Sequence, residues 1–262
     1  MQKFSFKYYE KLKQKKYRRL EKKFLIEGEN LLSECLSSEK YASSVEALFF
    51  RKGYANVQLI RKAEAANPGL RSEELEENIF NKLSDTVNSQ GIIACIRNSA
   101  EKDISDLFIQ NTVITLENIS DPGNLGTIIR TCYWFGLKNI VLNNTAGEFQ
   151  NPKVLRSSQG AVFHSEIFIV NDLKNFLREF ESKGFNIILL DLKAERFISD
   201  PDFISCEKNI LVFGNESNGI SEELLSEASF KKFKIKGYSD CESLNVAVSA
   251  GIVINRIISG RN

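Results

Sequence analysis

Residues 211–219 read LVFGNESNG and are the part of the sequence that says most about the fold. A short apolar run, typical of a buried strand, leads directly into a polar turn that contains two glycines. Further along, residues 242–251 read ESLNVAVSAG, which predicts a helix that opens on polar residues and continues through small ones. Loops that follow the strands of a parallel sheet usually carry its ligands, so these stretches predict a binding site.

The C-terminal half alternates between apolar strands and amphipathic helices. Continuous apolar strands separated by helices indicate an α/β fold with a mostly parallel sheet that is covered on both faces. The predicted strands are Val113–Leu116, Asn139–Leu142, Glu166–Val170, Ile187–Leu190 and Ile210–Phe213, and Leu173–Ser182 is a predicted helix.

The first hundred residues predict a second, smaller α/β unit. A basic helix precedes a short strand at Phe24–Ile26, and a charged helix is expected at Glu73–Leu83. Further strands are expected at Val45–Phe50, Val57–Ile60 and Gly91–Ile96. We therefore expect an N-terminal domain at 1–100, a polar linker at 101–111 and a second domain at 112–262.

Composition excludes several classes of protein. No apolar run approaches the ~18 residues that span a bilayer, and the N-terminus has no secretory pattern. The five cysteines are scattered without a CxxC pair, which argues against a metal site or a disulfide framework and fits a reduced cytoplasm. The only histidine, His164, is expected to be structural, because no Gly-x-Ser-x-Gly motif accompanies it.

Positive charge is concentrated near the N-terminus, although the net charge of the chain is only +1. Lys15, Lys16, Arg18 and Arg19 surround Tyr17. Local density of this kind suits contact with RNA phosphates, while a solvated basic helix is the alternative for this segment.

Residues 121–136, DPGNLGTIIRTCYWFG, form the first block with chemical interest. Asp121 begins a turn that starts a helix, and Gly136 can supply the left-handed residue that ends it. Arg130 lies within this apolar helix and needs a partner or a polar cavity. It is either half of a structural ion pair or a cation directed at a phosphate or a reacting hydroxyl.

Two later blocks are weak individually. Gly214 and Gly219 permit a tight bend, Glu216 lies between them, and Ser221 is a candidate helix N-cap. An ordinary turn with a solvent-facing Glu216 is the alternative. Ser243 can cap the last helix, which otherwise reads as a closely packed C-terminal helix.

Together the three blocks resemble the SpoU/TrmH branch of the SPOUT RNA methyltransferases. The pattern N-x-G-x-x-x-R is met by Asn124, Gly126 and Arg130; G-x-E by Gly214 and Glu216; and S-L-N by Ser243, Leu244 and Asn245. The N-terminal unit resembles the substrate-binding domain of many members, which is similar to a kink-turn-binding ribosomal protein fold. The sequence departs from the family at Lys236 and Ser239, where Pro and Gly are common, which bears on the shape of the cofactor loop.

The resemblance implies a trefoil-knotted α/β domain that is a homodimer and binds S-adenosylmethionine, with no metal. It implies a catalytic group of Asn124, Arg130, Glu216 and Asn245. Cofactor contacts are implied at Gly214, Ile235, Ser243 and Leu244. Dimerisation would bring Arg130, or its RNA contacts, to the pocket of the partner.

The implied reaction is transfer of a methyl group to a ribose 2′ hydroxyl of RNA. Arginine stays protonated, so Arg130 is expected to hold a phosphate and stabilise the developing oxyanion rather than act as a base. Ribosomal RNA is favoured over transfer RNA because of the additional N-terminal domain. A non-catalytic RNA-binding protein that keeps the fold is the alternative; a nucleotide-binding oxidoreductase is disfavoured because no G-x-G-x-x-G follows a first strand.

Overall fold

The fold is described from a computed structural model of the chain. It describes residues 6–98, 102–144, 146–204 and 206–260. These form two compact units: residues 1–100 with 148–164, and residues 101–147 with 165–262. The predicted domain boundaries place 148–164 in the second domain and remain a prediction.

A four-stranded sheet with helices is the frame of the first unit. Its strands run in the order β1-β4-β2-β3, and only the pair β2–β3 is parallel. The elements are α1 (Phe6–Lys11), α2 (Lys15–Glu21), β1 (Lys23–Glu27), α3 (Glu29–Ser37), β2 (Val45–Arg51), α4 (Val57–Ala66), β3 (Arg71–Leu75), α5 (Glu77–Leu83) and β4 (Ile92–Arg97), with a 3-10 turn at Ala42–Ser44.

Two predictions for this unit were wrong. The apolar run Val57–Ile60 begins the helix α4 rather than forming a strand, because the Asn56 side chain accepts a hydrogen bond from the Leu59 amide at 3.2 Å and caps the helix. The segment Glu73–Leu83 is not one helix. Its first residues belong to β3, which pairs with β2. This pairing is made by backbone hydrogen bonds, and a charged sequence pattern does not reveal it.

The chain continues with seven strands and further helices. The elements are a 3-10 turn (Ile104–Ile109), β5 (Thr112–Leu116), α6 (Pro122–Trp134), β6 (Asn139–Asn143), α7 (Pro152–Ser157), a 3-10 turn (Ala161–His164), β7 (Glu166–Val170), α8 (Leu173–Ser182), β8 (Asn186–Leu190), β9 (Arg196–Phe197), a 3-10 turn (Pro201–Ile204), β10 (Asn209–Phe213), α9 (Glu222–Leu225), β11 (Lys231–Lys234) and α10 (Val246–Ser259). The helix α7 and the 3-10 turn at Ala161–His164 belong to the first unit, and the others in this series to the second. The predicted strands and the helix Leu173–Ser182 are confirmed.

The sheet of the second unit is parallel throughout, with strand order β7-β6-β5-β10-β8-β11-β9. From β5 the chain moves outward through β6 to β7, and then crosses to the other side to form β8. The strand β10 is then inserted between β5 and β8, and β11 between β8 and β9. The loops after β5 and β10 therefore lie at the point where strand order reverses, which is the usual ligand position in such sheets. This confirms the predicted α/β class, while the trefoil knot stays a prediction.

Local chemistry explains the ends of α6. The side chain of Asp121 accepts the amide of Asn124 at 2.9 Å, and Pro122 occupies the first helical turn. At the other end Gly136 adopts φ +75° and its amide donates to the carbonyl of Tyr133, as expected of a left-handed cap. Asn124 is thereby fixed in the first turn of a helix that follows β5.

Candidate active site

Glu216 is the centre of a hydrogen-bonded group at the carboxyl edge of the parallel sheet. One carboxylate oxygen accepts the amide and the hydroxyl of Ser120 at 3.3 and 3.2 Å. The other accepts the amide of Asp121 at 3.3 Å and the side-chain amide of Asn124 at 3.1 Å. The loop after β10 is thus joined to the loop that begins α6.

Asn245 joins the third block to this group. Its side-chain nitrogen donates to the side-chain oxygen of Asn124 at 2.9 Å, while its own oxygen accepts the amides of Ala247 and Val248 and caps α10. Three segments that are far apart in sequence are therefore linked by consecutive side-chain hydrogen bonds, from Glu216 to Asn124 and from Asn124 to Asn245. We call this the Glu216–Asn124–Asn245 chain. Asn245, and not Ser243 as predicted, caps the last helix, because its oxygen reaches the first free amides.

The Glu216 carboxylate remains charged. Burial alone would favour its neutral form, but hydrogen bonds from the Asn124 side chain and from backbone amides outweigh burial, so the pKa of Glu216 lies below its ordinary value. The result is a fixed negative charge at the end of β10 that orients Asn124.

Asparagine side chains that sequence reasoning missed hold these loops in place. Asn118 adopts the left-handed region at φ +55°, and its side chain and amide exchange hydrogen bonds with the side chain of Asn143 at 2.8 and 2.9 Å. The Asn215 side chain donates to the Asn118 carbonyl at 2.8 Å. Asparagine tolerates the left-handed region better than most residues, which is the one signal that Asn118 offers in the sequence.

A further missed residue, Glu117, is buried directly after β5. Its carboxylate accepts the amide of Ser221 at 3.0 Å. Ser221 lies at the predicted N-cap position of α9, but its side chain makes no capping hydrogen bond. The buried carboxylate therefore links the start of α9 to the end of β5.

The Gly214 loop leaves no room for a side chain. The amide and carbonyl of Asn215 pair with those of Gly219 at 2.9 Å, which folds the loop back over Gly214. A Cβ on Gly214 would lie 2.3 Å from the Gly219 carbonyl carbon, and backbone cannot move aside cheaply. Glycine is required here, as the block pattern predicts.

The segment from Ile235 to Asn245 provides the groups that suit an adenosine-type cofactor. It has no regular secondary structure, and in the parts of the chain that the structure describes, the amides of Gly237–Asp240 and Glu242–Leu244 donate to no protein acceptor. Leu244 exposes 47% of its surface, an apolar side chain open to a ligand or a partner. Free backbone donors beside apolar side chains fit S-adenosylmethionine, while contacts from Gly214, Ile235, Ser243 and Leu244 stay a prediction.

Arg130 does not take part in the Glu216 group. It follows Asn124 by six residues on α6, which is about 9 Å along a helix and on another face. The side chain is exposed, and among the described residues it has no hydrogen bond or ion pair. The structural ion pair considered above is therefore absent among those residues, and a free guanidinium is on the surface.

The basic N-terminal residues divide into two kinds. Lys15, Lys16 and Arg19 are exposed on α2, and the Lys16 ammonium lies 5.9 Å from the Tyr17 ring centre. Arg18 is only 5% exposed. Its guanidinium binds both carboxylate oxygens of Glu148 at 3.2 and 2.8 Å and two backbone carbonyls, so it is engaged within the unit.

His164 also has a structural partner. Its ring nitrogen lies 2.9 Å from the Glu34 carboxylate within the first unit. In the described ranges, no group of three or more His, Cys, Asp or Glu is placed to hold a metal ion. No helix in those ranges combines the length and apolar composition that crossing a membrane requires.

A polar site at the strand-order reversal of a fully parallel sheet defines an α/β protein that binds its ligand beyond the strand ends. The model of the SpoU rRNA methylase family matches residues 111–255, and that of the MRM3-like substrate-binding domain matches residues 5–94. The chain belongs to the SpoU rRNA methylase family, which confirms the resemblance seen in its three blocks.

Relatives and solved structures agree with this assignment. The chain is 30% identical to a 23S rRNA (guanosine(2553)-2′-O)-methyltransferase of Bacillus subtilis, over 94% of this chain and 92% of the relative. It resembles the AdoMet-bound rRNA methyltransferase of Sinorhizobium meliloti with a TM-score of 0.84 and 25% identity, over 97% and 94% of the two chains. A putative TrmH-family RNA methyltransferase of Porphyromonas gingivalis has a TM-score of 0.81 and 26% identity, over 96% of each chain.

Proposed function

We propose that this protein is an S-adenosylmethionine-dependent methyltransferase that modifies a ribose 2′ hydroxyl of ribosomal RNA in the cytoplasm. The observation that carries the proposal is the Glu216–Asn124–Asn245 chain at the strand-order reversal. It joins the three blocks that define the family in sequence. Similarity to a 23S rRNA 2′-O-methyltransferase over nearly the whole chain supports ribosomal RNA as the substrate class.

The residues of the site would position the acceptor ribose. When bound, S-adenosylmethionine supplies a methyl group that its sulfonium charge already activates. Glu216 keeps its charge and holds the amide of Asn124, so the Asn124 side chain presents fixed polar atoms to the hydroxyl or to an arginine. A guanidinium beside the reacting oxygen would hold the neighbouring phosphate and stabilise negative charge as the proton leaves.

The arginine would come from a second copy of the chain. On α6 Arg130 is exposed and Trp134, one turn away, exposes 84% of its surface. On α10, which packs against α6, Val248 and Ile252 expose 52% and 39%. We call this surface the α6–α10 face. An apolar patch of this kind marks an interface, and a symmetric dimer through it would carry Arg130 toward the site of the partner.

RNA contact by the first unit is proposed for Lys15, Lys16 and Arg19. Their side chains are exposed, whereas the buried Arg18 is left out of this surface. Replacing Lys15, Lys16 and Arg19 by Gln should weaken RNA binding and reduce its dependence on salt. Unchanged binding would remove this segment from the RNA surface.

The activity is tested with labelled S-adenosylmethionine and unmodified ribosomal or transfer RNA, followed by mapping of alkali-resistant linkages. Methyl transfer to a ribose of ribosomal RNA supports the proposal. Methylation of transfer RNA alone would change the substrate class. RNA binding with no methyl transfer to either would indicate a non-catalytic binder.

Complementation tests whether Arg130 acts across a dimer. The Arg130→Ala and Glu216→Gln chains are co-expressed with different tags, and two affinity steps, one for each tag, isolate the heterodimer. If Arg130 serves the site of the partner, this heterodimer has one site in which both residues are intact. It should regain about half of wild-type activity, since one site of two is intact. If Arg130 serves its own chain, both sites are defective and activity stays at the level of the single variants. Val248→Glu should yield monomers in light scattering, and a monomeric wild type would refute the dimer.

A further inference from the structure

The strand β11 ends in a patch of lysines and aromatic rings at the same edge of the sheet as Glu216. Lys234 closes the strand and is paired in register with Phe197 on β9. Because all strands of this sheet are parallel, the residues after Lys234 emerge at the edge from which the Gly214 loop also emerges. The patch consists of Phe197, Lys234, Lys236 and Tyr238.

Its cations lie against rings rather than against acids. The Lys234 ammonium is 5.3 Å from the centre of the Phe197 ring. The Lys236 ammonium is 5.8 Å from the same ring and 5.4 Å from the Tyr238 ring, so it lies between the two. In the ranges that the structure describes, neither lysine has a carboxylate partner, and both positive charges remain available to an external anion.

Tyr238 is the exposed ring of the patch. It exposes 88% of its surface, and its hydroxyl has no hydrogen-bond partner among the described residues. An aromatic ring beside unpaired lysines is the arrangement with which proteins stack single-stranded bases and neutralise the adjoining phosphates.

We infer that Tyr238 and Lys236 bind an unpaired stretch of the RNA substrate. The Tyr238 ring stacks on a base, and the ammonium groups of Lys236 and Lys234 neutralise a neighbouring phosphate. This inference rests on the proposed function and names a specificity element of the same site, since Tyr238 lies on the segment that carries Leu244 and Asn245. Unpaired nucleotides are required, because bases in a duplex do not offer a free face.

The test measures binding rather than catalysis, so its outcome is independent of methyl transfer. The probe is a fluorescent RNA of about twelve uridines, with a duplex of the same length for comparison. Tyr238→Ala should weaken binding of the single strand about tenfold, which corresponds to about 1.4 kcal/mol, and leave the duplex unchanged. Tyr238→Phe, which keeps the ring, should bind as the wild type does.

Lys236→Gln tests the cation and has a matched control. It should lower the dependence of log affinity on log salt by about 0.7, the contribution of one phosphate contact on a single strand. Lys183→Gln is the control, because Lys183 is also exposed and also lies over a ring, 5.6 Å from Phe108, but just before β8 at the opposite edge of the sheet. It should leave the salt dependence unchanged.

Three results would overturn the inference. Tyr238→Ala could bind the single strand normally, which removes the stacking role. It could weaken S-adenosylmethionine binding in calorimetry without affecting RNA, which would assign the ring to the cofactor. It could convert a dimer to a monomer in light scattering, which would assign the ring to a subunit interface. The proposed function and the RNA contact can also be told apart. If the wild type transfers no methyl group, but Tyr238→Ala still binds the single strand more weakly than the wild type does, the proposed function fails and the RNA contact stands.

Discussion

Replacing Glu216 with Gln changes one oxygen of the central carboxylate into an NH₂ group and leaves the shape nearly unchanged. The oxygen that faces Asp121 and Asn124 accepts two N–H groups, and the other accepts the Ser120 amide, the Asn215 side-chain amide at 3.4 Å and the rotatable hydroxyl of Ser120. Because the Ser120 hydroxyl is the one group of these that can accept from an NH₂ group, the glutamine will turn its NH₂ group toward Ser120. The Ser120 and Asn215 amides then lose their acceptor, and the remaining bonds lose the assistance of a charge.

The expected magnitude follows from these contacts. A hydrogen bond to a charged group contributes about 1.5–3 kcal/mol and a neutral one about 0.5–1.5 kcal/mol. Glu216 is exposed to solvent, which screens its charge, so we take a loss of about 1.5–2 kcal/mol summed over all the bonds of the group. If this free energy positions Asn124 in the transition state, kcat falls by about ten- to thirtyfold.

The assay is methyl transfer to an unmodified ribosomal RNA transcript at saturating S-adenosylmethionine, with kcat and KM determined separately. Glu223→Gln is the matched control, because it removes the same charge from the next helix, where the exposed Glu223 side chain has no hydrogen bond among the described residues. The control should stay within about twofold of wild type. If Glu216→Gln and Glu223→Gln behave alike, the hydrogen-bonded group does not position the acceptor, and the reasoning is refuted.

Three further predictions concern stability. Arg18→Met leaves the Glu148 carboxylate buried without its partner and should lower the free energy of unfolding by about 3–5 kcal/mol in urea titrations, whereas replacing Arg18 and Glu148 together by Met should recover part of the loss; equal losses would show that the charge pair is not responsible. Gly214→Ala should abolish methyl transfer and lower the melting temperature, because its Cβ would meet backbone at 2.3 Å, while Gly69→Ala, whose added Cβ would meet the Asn67 side-chain oxygen at an ordinary 3.6 Å, serves as the control and should do neither. Glu27 has a pKa below its ordinary value of 4.5: burial raises the pKa, but hydrogen bonds from Ser84, Ser89, Thr86 and the Asp85 amide outweigh it, so its contribution is complete above pH 4.5 and is lost as the pH falls through the folded pKa. The difference in unfolding free energy between wild type and Glu27→Gln should therefore shrink on acidification from neutral pH, and a constant difference would contradict this.

Local sequence was sufficient for the features that depend on near neighbours. Asp121 and Gly136 bound the helix α6 as predicted, because a cap is a contact between residues three to five apart. Local sequence was insufficient where an apolar run is so short that it fits both the two-residue period of a strand and the 3.6-residue period of a helix. Val57–Ile60 contains too few residues to distinguish alternation from a helical face, and the capping side chain of Asn56 decided for the helix.

The sequence by itself determined the α/β class, the alternation of strands and helices and the three blocks of the site, since each is written in hydrophobic period and residue type. Only the tertiary structure decided that Asn245 reaches Asn124 and that Asn215 supports Asn118, because the first contact depends on packing α10 against α6 and the second on inserting β10 beside β5. Strand order is set by the packing of the whole sheet, and no stretch of neighbouring residues encodes it.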